Sequence, residues 1–432
     1  PPIAKTFGAA SFYEWTPKET FTDEQVPDLG IMPMLSSVES DEPFSTYRKI
    51  VAQNDRKEII QIVRASGLGG YGGAHFPVAL KWDSIRSHTG PRVLILNGQE
   101  GEPETFKDRY LMQKHSDLVL EGAVIAAWAV EASEMIIVVT SRCESGLHAL
   151  TESLEQLRRI VGQDSLPAIR IVTGPDLYVV GEETALIEFL ESRRGEPQSK
   201  PPFPTESGLW GWPTLVQNVE TVSWLPTIIR NGVERFLSDG HGMKLVTLSG
   251  AIRNPGIYEV PLGVSLSAIL ELGGGLPDGQ NLQAFAVGGP SGGFIPASFS
   301  DRLFLQSDLK SVGTILGTGA VRILSNQQCL MREALESVRF FRDESCGRCT
   351  PCRVGTAQMA HIWSQIMEGT AAAKDVELIK ELSEVVQLTS ICGLGIAAPT
   401  RMLSVLQYWP ELLAQHLDST GEDRCPICSM SN

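Results

Sequence analysis

Apolar positions along the chain fall into successive regimes. From 56 to 66 they recur on one helical face, at Ile59, Ile60 and Val63. The short apolar runs 93–96, 135–139 and 169–172 read as buried strands. Between them, 118–130 predicts an apolar helix and 144–160 an amphipathic one. This β-α-β-α-β order predicts an α/β domain with a mostly parallel sheet and helices on its faces. Ligands in such sheets sit beyond the carboxyl ends of the strands. Two segments are therefore well placed: the turn Asn97-Gly98-Gln99-Glu100-Gly101-Glu102-Pro103 and the helix start Gly181-Glu182-Glu183-Thr184.

Near Gly242 the pattern changes. Strands are expected at 244–248 and 256–260 around the turn Asn254-Pro255-Gly256. A short helix at 265–272, ended by Gly273-Gly274-Gly275, leads to another strand at 284–287. This small α+β unit has no titratable constellation of its own and reads as a packing or interface module. Four segments, 326–342, 352–367, 374–389 and 399–416, then show three-to-four-residue apolar spacing and predict a helix bundle. Residues 1–50, polar with scattered prolines and aromatics, read either as an extended arm over another domain or subunit, or as a partly ordered leader. The expected division is 1–50 arm, 51–240 α/β domain, 241–322 small domain, 323–418 four-helix domain and 419–432 tail. Residues 198–214 are expected to be a long proline-stiffened loop carrying Lys200 and Phe203.

Two motifs carry chemistry. Cys346, Cys349 and Cys352 stand at C-x2-C-x2-C spacing between the first two bundle helices, and Cys392 lies between the last two. Both sites fall at one end of an up-down bundle. Four thiolates suit a [4Fe–4S] cluster or a structural zinc. Zinc sites usually show two C-x2-C pairs, so the three-plus-one pattern favours iron–sulfur. The second motif is the loop Gly67-Leu68-Gly69-Gly70-Tyr71-Gly72-Gly73-Ala74-His75-Phe76-Pro77, running into a predicted helix at 78–82. Glycine-rich backbone entering a helix cradles phosphates through exposed N–H groups, although glycine-rich turns without ligands also occur.

Composition narrows the class. A chain of 432 residues, 42% hydrophobic and 20% charged, is expected to form two to four domains with large cores. Its net charge of −15 argues against nucleic acid or an anionic membrane as main partner. Eight cysteines, mostly clustered, suit metal ligation in a reducing compartment better than a disulfide scaffold. No run of about 20 apolar residues suggests a membrane span. Pro1-Pro2-Ile3-Ala4-Lys5 has no apolar signal core, so a cytoplasmic location is expected.

The chain resembles the NADH-oxidising flavoprotein subunit of respiratory complex I and its relatives, the diaphorase subunits of soluble NAD-linked hydrogenases and NAD-dependent formate dehydrogenases. The resemblance spans about 50–416. It rests on the glycine loop through Trp82, on Glu100-Gly101-Glu102-Pro103-Glu104-Thr105-Phe106-Lys107-Asp108-Arg109, and on Gly181-Glu182-Glu183-Thr184-Ala185-Leu186-Ile187-Glu188. Lys200-Pro201-Pro202-Phe203-Pro204, Asn218-Val219-Glu220-Thr221 and the cysteine set with Ser390-Ile391-Cys392-Gly393-Leu394-Gly395 complete it. It implies FMN on the α/β domain, a β-grasp-like small domain and a [4Fe–4S] cluster on the bundle. By position, Gly69, Gly70, Gly72, Gly73, Ala74 and Phe76 of the loop, with Lys81, Asn97 and Asn218, would hold FMN. Phe76 and Phe203 would stack on parts of NADH. Glu102, Gly181, Glu182, Glu183 and Lys200 would line the nucleotide site, with Glu102 and Glu183 orienting the nucleotide. Cys346, Cys349, Cys352 and Cys392 would hold the cluster.

The sequence departs from the family pattern in the loop. Gly69 and Tyr71 replace two arginines and His75 a glycine, Gln99 stands for an aspartate, and Ser84 for an aromatic. His75 is read either as a donor to the flavin or its phosphate, or as filling the room of the missing glycine. Glu182 and Glu183 have an alternative role as charge at a helix N-terminus. Cys425-Pro426-Ile427-Cys428 is read as a loose tail, with metal binding through ligands from another chain as the alternative, and Cys143 and Cys329 as packed thiols. The expected protein is a diaphorase subunit exchanging hydride with NAD(H), joined to other iron–sulfur subunits of a multisubunit complex. A soluble NAD-reducing hydrogenase is preferred over complex I or formate dehydrogenase. The rival from another class is a non-catalytic, zinc-stapled structural subunit.

Overall fold

The computed structural model describes residues 30–31, 35, 42–237, 240–417 and 425–429. The first strand, β1 (Gly30–Ile31), belongs to the N-terminal arm. Helices α1 (Ser45–Gln53), α2 (Arg56–Ala65) and α3 (Val78–Arg86) follow. Asp55 starts α2 by accepting from the Glu58 amide at 2.9 Å, and the helix buries Ile59, Ile60 and Val63.

A four-stranded, wholly parallel sheet comes next, ordered β4-β3-β2-β5. Its strands are β2 (Val93–Gly98), β3 (Glu134–Thr140), β4 (Ala168–Gly174) and β5 (Thr214–Asn218). Helices α4 (Lys107–Lys114), α5 (Ser116–Val130), α6 (Glu144–Val161), α7 (Glu183–Leu190) and α8 (Val219–Asn231) connect or flank them. Strand β5 escapes the sequence reading because it follows a proline-rich loop and offers only Leu215 and Val216 as large apolar residues. Helix α5 is apolar all round because it is covered on all sides. A Cβ on Gly122 would run into the Val222 carbonyl of α8, so glycine sets how closely these helices approach.

The two faces of the sheet have different cover. Leu94, Leu96, Met135, Ile137 and Val139 join one core with α5 and α8. The alternate residues Val93, Ile95, Ile136 and Val138 join another with Val180 and Leu186, and with Phe340, Phe341, Cys352 and Leu394 of the helical region. The cysteine-bearing end of the bundle thus closes one face of the parallel sheet.

The small domain holds β6 (Met243–Gly250), β7 (Gly256–Pro261), α9 (Leu266–Leu272), β8 (Leu282–Val287), β9 (Phe294–Pro296) and β10 (Ala320–Ser325). Their sheet, ordered β1-β7-β6-β10-β8-β9, includes the arm strand β1 in parallel with β7. Strand β10 runs across residue 322.

The last region comprises α10 (Leu330–Asp343), α11 (Thr350–Glu368), α12 (Ala373–Thr389), α13 (Gly393–Ala397), α14 (Thr400–Tyr408), α15 (Pro410–Leu417) and α16 (Pro426–Ser429). The single helix expected over 399–416 is two, because Pro410 has no amide to continue α14. Glu104 joins all three regions: it lies 3.6 Å from Arg322 of β10 and 3.4 Å from Arg401 of α14, and all three side chains are buried. Among the described residues no helix is long and apolar enough to cross a membrane.

Candidate functional site

The glycine loop folds back on itself. Gly70 N donates to Phe76 O at 2.8 Å and His75 N to Gly70 O at 3.0 Å. His75 takes a left-handed backbone, φ 55°, where a glycine would be unstrained. A Cβ on Gly69 would stand 2.8 Å from the His75 ring, so the small residue and the large one are a matched pair. Of the two roles expected for His75, filling space is the one the geometry displays. Burial first, then the Lys244 ammonium, lower its pKa to about 4, so the ring is neutral at pH 7. Tyr71 is buried; its hydroxyl donates to Met243 O at 2.8 Å, and Lys244 Nζ lies 4.4 Å over its ring.

Beneath the loop runs a buried ionic network. Lys107 Nζ lies 2.7 Å from Asp108, 3.0 Å from Glu220 and 3.4 Å from Asn218. Lys244 pairs with the same Glu220 at 3.1 Å. Asn218 donates to Asp108 at 2.6 Å, caps α8, and sits where a Cβ on Gly72 would meet it at 3.1 Å. These charges were legible only as members of the Glu100–Arg109 and Asn218–Thr221 strings, because their pairing is non-local.

At the carboxyl ends of the strands, Asn97 donates to Gly181 O at 2.9 Å and accepts from the Gln99 amide at 3.0 Å. Glu182 caps α7, accepting from Thr184 N at 2.8 Å and Ala185 N at 3.1 Å. Glu183 bridges Lys81 and Lys200, each at 2.7 Å, and Lys200 also reaches Glu182 at 2.9 Å. Burial works against the Glu183 carboxylate, but the two ammonium groups prevail and hold its pKa at about 2. Phe76 and Phe203 leave about half their surface uncovered, at 50% and 49%. Glu102 makes its contacts elsewhere. It is buried, accepting from Ser291 at 3.1 Å and Thr318 at 2.6 Å of the small domain, and burial raises its pKa to about 7.

Cys349 and Cys392 stand at the N-caps of α11 and α13, with Cys352 in the first turn of α11. Gly347 supplies a φ of 80° to the turn, and a Cβ on Gly395 would meet Cys352 Cβ at 3.1 Å. Ser345 Oγ lies 3.3 Å from Cys352 Sγ. Burial, reinforced by the neighbouring Cys349 and Cys392, pushes the Cys352 thiol up to about 12. The motif abuts the segments that flank α7. Tyr178 N donates to Glu344 at 2.9 Å, its ring lies 5.0 Å from Phe340, Arg348 donates to Pro197 O at 2.8 Å, and Arg194 donates to Cys346 O.

The remaining cysteines correct the sequence reading. Cys425 and Cys428 are not a loose pair, and Cys329 is not simply a packed thiol. With His416 their ligand atoms all lie within 4.8 Å of one another. Among the described residues this is the group whose ligand atoms are compact enough for a single ion. His416 drew no notice in the sequence. Its spacing to the C-x2-C pair was the available signal.

A glycine loop against Asn218 at the end of a parallel sheet, with a three-plus-one cysteine motif packed on the opposite face, points to a class: flavin and iron–sulfur redox subunits. Residues 63–227 match the Nuo51 FMN-binding domain, 332–416 the NADH-ubiquinone oxidoreductase-F iron–sulfur binding region, and 245–295 the SLBB domain. The chain belongs to the family formed by the F subunits of NADH-quinone oxidoreductases and their hydrogenase counterparts. It is 36% identical to the F subunit of the NADH-quinone oxidoreductase of Aquifex aeolicus, covering 82% of this chain and 85% of that one. With the NADP-reducing hydrogenase subunit HndC of Solidesulfovibrio fructosivorans it shares 34% identity, over 86% and 78%. A crystal structure of NAD+-reducing [NiFe]-hydrogenase in the H2-reduced state superposes with a TM-score of 0.85 at 31% identity, covering 95% of this chain and 72% of that one.

Proposed function

We propose that this chain is the diaphorase subunit of a multisubunit redox complex, exchanging electrons between NAD(H) and iron–sulfur partner subunits on the cytoplasmic side. The observation that carries this reading is adjacency: the cysteine motif packs on the turn that leads into Gly181–Glu183. The residues present fit both groups. The loop has small side chains where backbone must approach a ligand, half-bare Phe76 and Phe203 offer apolar rings to a planar partner, and four thiols share one neighbourhood.

The chemistry that FMN and a [4Fe–4S] cluster supply when bound is conversion of a hydride's electron pair into single electrons. The chain's part is placement and electrostatics. Gly69, Gly70, Gly72, Gly73, Ala74, Phe76, Lys81, Asn97 and Asn218 would hold FMN, and Cys346, Cys349, Cys352 and Cys392 the cluster. Lys81 and Lys200, gathered by Glu183, present positive charge to an anionic dinucleotide, and Glu182 fixes the start of α7. Phe203, on the same loop as Lys200, and Phe76 would stack on parts of the nucleotide. Glu102, held by the small domain, would orient the nucleotide through that contact. Neutral His75 keeps the loop's shape without adding charge. The preferred setting is a soluble NAD-reducing hydrogenase, supported by the hydrogenase relatives in sequence and structure. The domain division expected from the sequence is kept with one change: a boundary at 322 would cut β10, so the small domain is proposed to run to Ser325.

The test is flavin, iron and NADH-driven dye reduction on anaerobically purified protein with its co-purifying partners. The expected result is about one FMN and four irons per chain, with activity; nickel in a partner would identify a hydrogenase. Colourless, flavin-free and inactive protein would sink the reading and leave a structural subunit.

A further inference from the structure

The Cys329–His416–Cys425–Cys428 group lies outside the flavin and cluster sites. Its members come from three separate segments. Cys329 is the N-cap of α10, His416 lies in the last turn of α15, and Cys425 and Cys428 flank the start of α16. Cys329 and His416 are each 4% exposed and Cys425 2%. The Cys428 amide donates to Cys425 O at 3.1 Å, closing a tight C-x2-C turn that aims both sulfurs the same way.

From these positions we infer a closed, tetrahedral Cys3His zinc site that staples the C-terminal segment to the start of the helical domain. The spacing agrees with the ion's size. Zinc–sulfur and zinc–nitrogen bonds of about 2.3 and 2.0–2.1 Å at tetrahedral angles put sulfur and nitrogen about 3.6 Å apart. His416 Nε2 lies 3.6 Å from Cys329 Sγ and 3.6 Å from Cys428 Sγ. The imidazole is also oriented for ligation. Its Nδ1 lies 2.8 Å from Leu412 O; an Nδ1–H donating to that carbonyl leaves the Nε2 lone pair facing the sulfurs, the usual second-shell support of a metal-bound histidine. Three thiolates and one imidazole suit zinc, and four protein ligands leave no open position for catalysis.

The site is separate from the cluster motif. Helix α10 runs between them, 14 residues from Leu330 to Asp343, so they stand about 20 Å apart along its axis. Zinc has one accessible oxidation state, so the site takes no part in electron flow. It organises the bundle's far end, where Cys329 and Cys425 join the core with Trp363, Met331 and Trp409.

Zinc and iron should be measured together on the full chain, purified with its partners, with zinc K-edge X-ray absorption on the same sample. The expected result is one zinc per chain beside the cluster iron, with a first shell of about three sulfurs at 2.3 Å and one nitrogen at 2.0–2.1 Å. Cys428→Ser is expected to lose at least nine-tenths of the zinc while keeping its iron and flavin, and His416→Cys to keep the zinc in an all-sulfur shell. Iron-replete protein without zinc, zinc bound only by light atoms, mononuclear iron at these ligands, or a Cys329–Cys428 disulfide found by mass spectrometry would each overturn the inference. The measurement on the unsubstituted chain decides it even where a variant fails to fold, and none of the readouts requires NADH oxidation.

Discussion

Replacing Glu183 with glutamine tests the lysine cradle directly. The change keeps size and shape but removes the charge that gathers Lys81 and Lys200, both 2.7 Å from the carboxylate. The pKa displacement from 4.5 to about 2 corresponds to about 3 kcal/mol at 1.36 kcal/mol per unit. All three side chains are a fifth to under a third exposed, and solvent screening reduces that figure to about 1–2 kcal/mol. With glutamine, Lys81 and Lys200 repel, and Lys200 keeps only Glu182, at 2.9 Å. The loop carrying Phe203 loses its anchor. Steady-state kinetics with NADH and a dye should show a KM raised about tenfold, the equivalent of 1.4 kcal/mol, with flavin content unchanged. The sign with pH is fixed. A depressed carboxylate contributes above its unfolded value of about 4.5 and loses that contribution only as pH falls through about 2, so no titration of Glu183 should appear between pH 5 and 9. An unchanged KM, or equal loss of flavin and NADH affinity, would refute the reasoning.

Other substitutions probe the neighbouring contacts. Glu102 has a raised pKa of about 7, so its neutral form suits the fold; stability should fall by about 2–3 kcal/mol as pH rises from 4.5 through 7. Thermal melts of Glu102→Gln should lose that slope, and an identical slope in both proteins would contradict the assignment. Gly69→Ala should displace the His75 ring and lower flavin retention, whereas Gly69→Ala with His75→Gly should recover it. A double-mutant cycle should give a coupling above about 1 kcal/mol, and simple additivity would show that the two positions are independent.

What could be read from the sequence was whatever is local. The runs 93–96, 135–139 and 169–172 announced β2, β3 and β4 because buried parallel strands are continuous apolar segments. Three of the cluster cysteines were marked by their C-x2-C-x2-C spacing, and the fourth, Cys392, by the bundle topology that brings its loop to the same end. Strand β10, at the centre of the small sheet between β6 and β8, was missed because it lies far from its partners in sequence. The use of His75 depends on Gly69, and the fate of Cys329 depends on His416 and a tail nearly a hundred residues on; pairwise facts of that kind appear only when the chain is folded. Glu102 looked like a nucleotide ligand by position, and folding revealed its second allegiance to Ser291 and Thr318.

The junction at Glu104 bears on speed. One carboxylate is shared by Arg322 and Arg401, and so ties the sheet domain, the small domain and the helical domain at a single buried point. Breaking it would strand charge in a dry interior, which costs several kcal/mol, so separating the three regions at that point carries the same cost. Electron tunnelling decays exponentially with the gap between donor and acceptor. On the proposed function, a junction that is costly to open favours a constant gap from one turnover to the next, and the transfer rate then follows from the architecture.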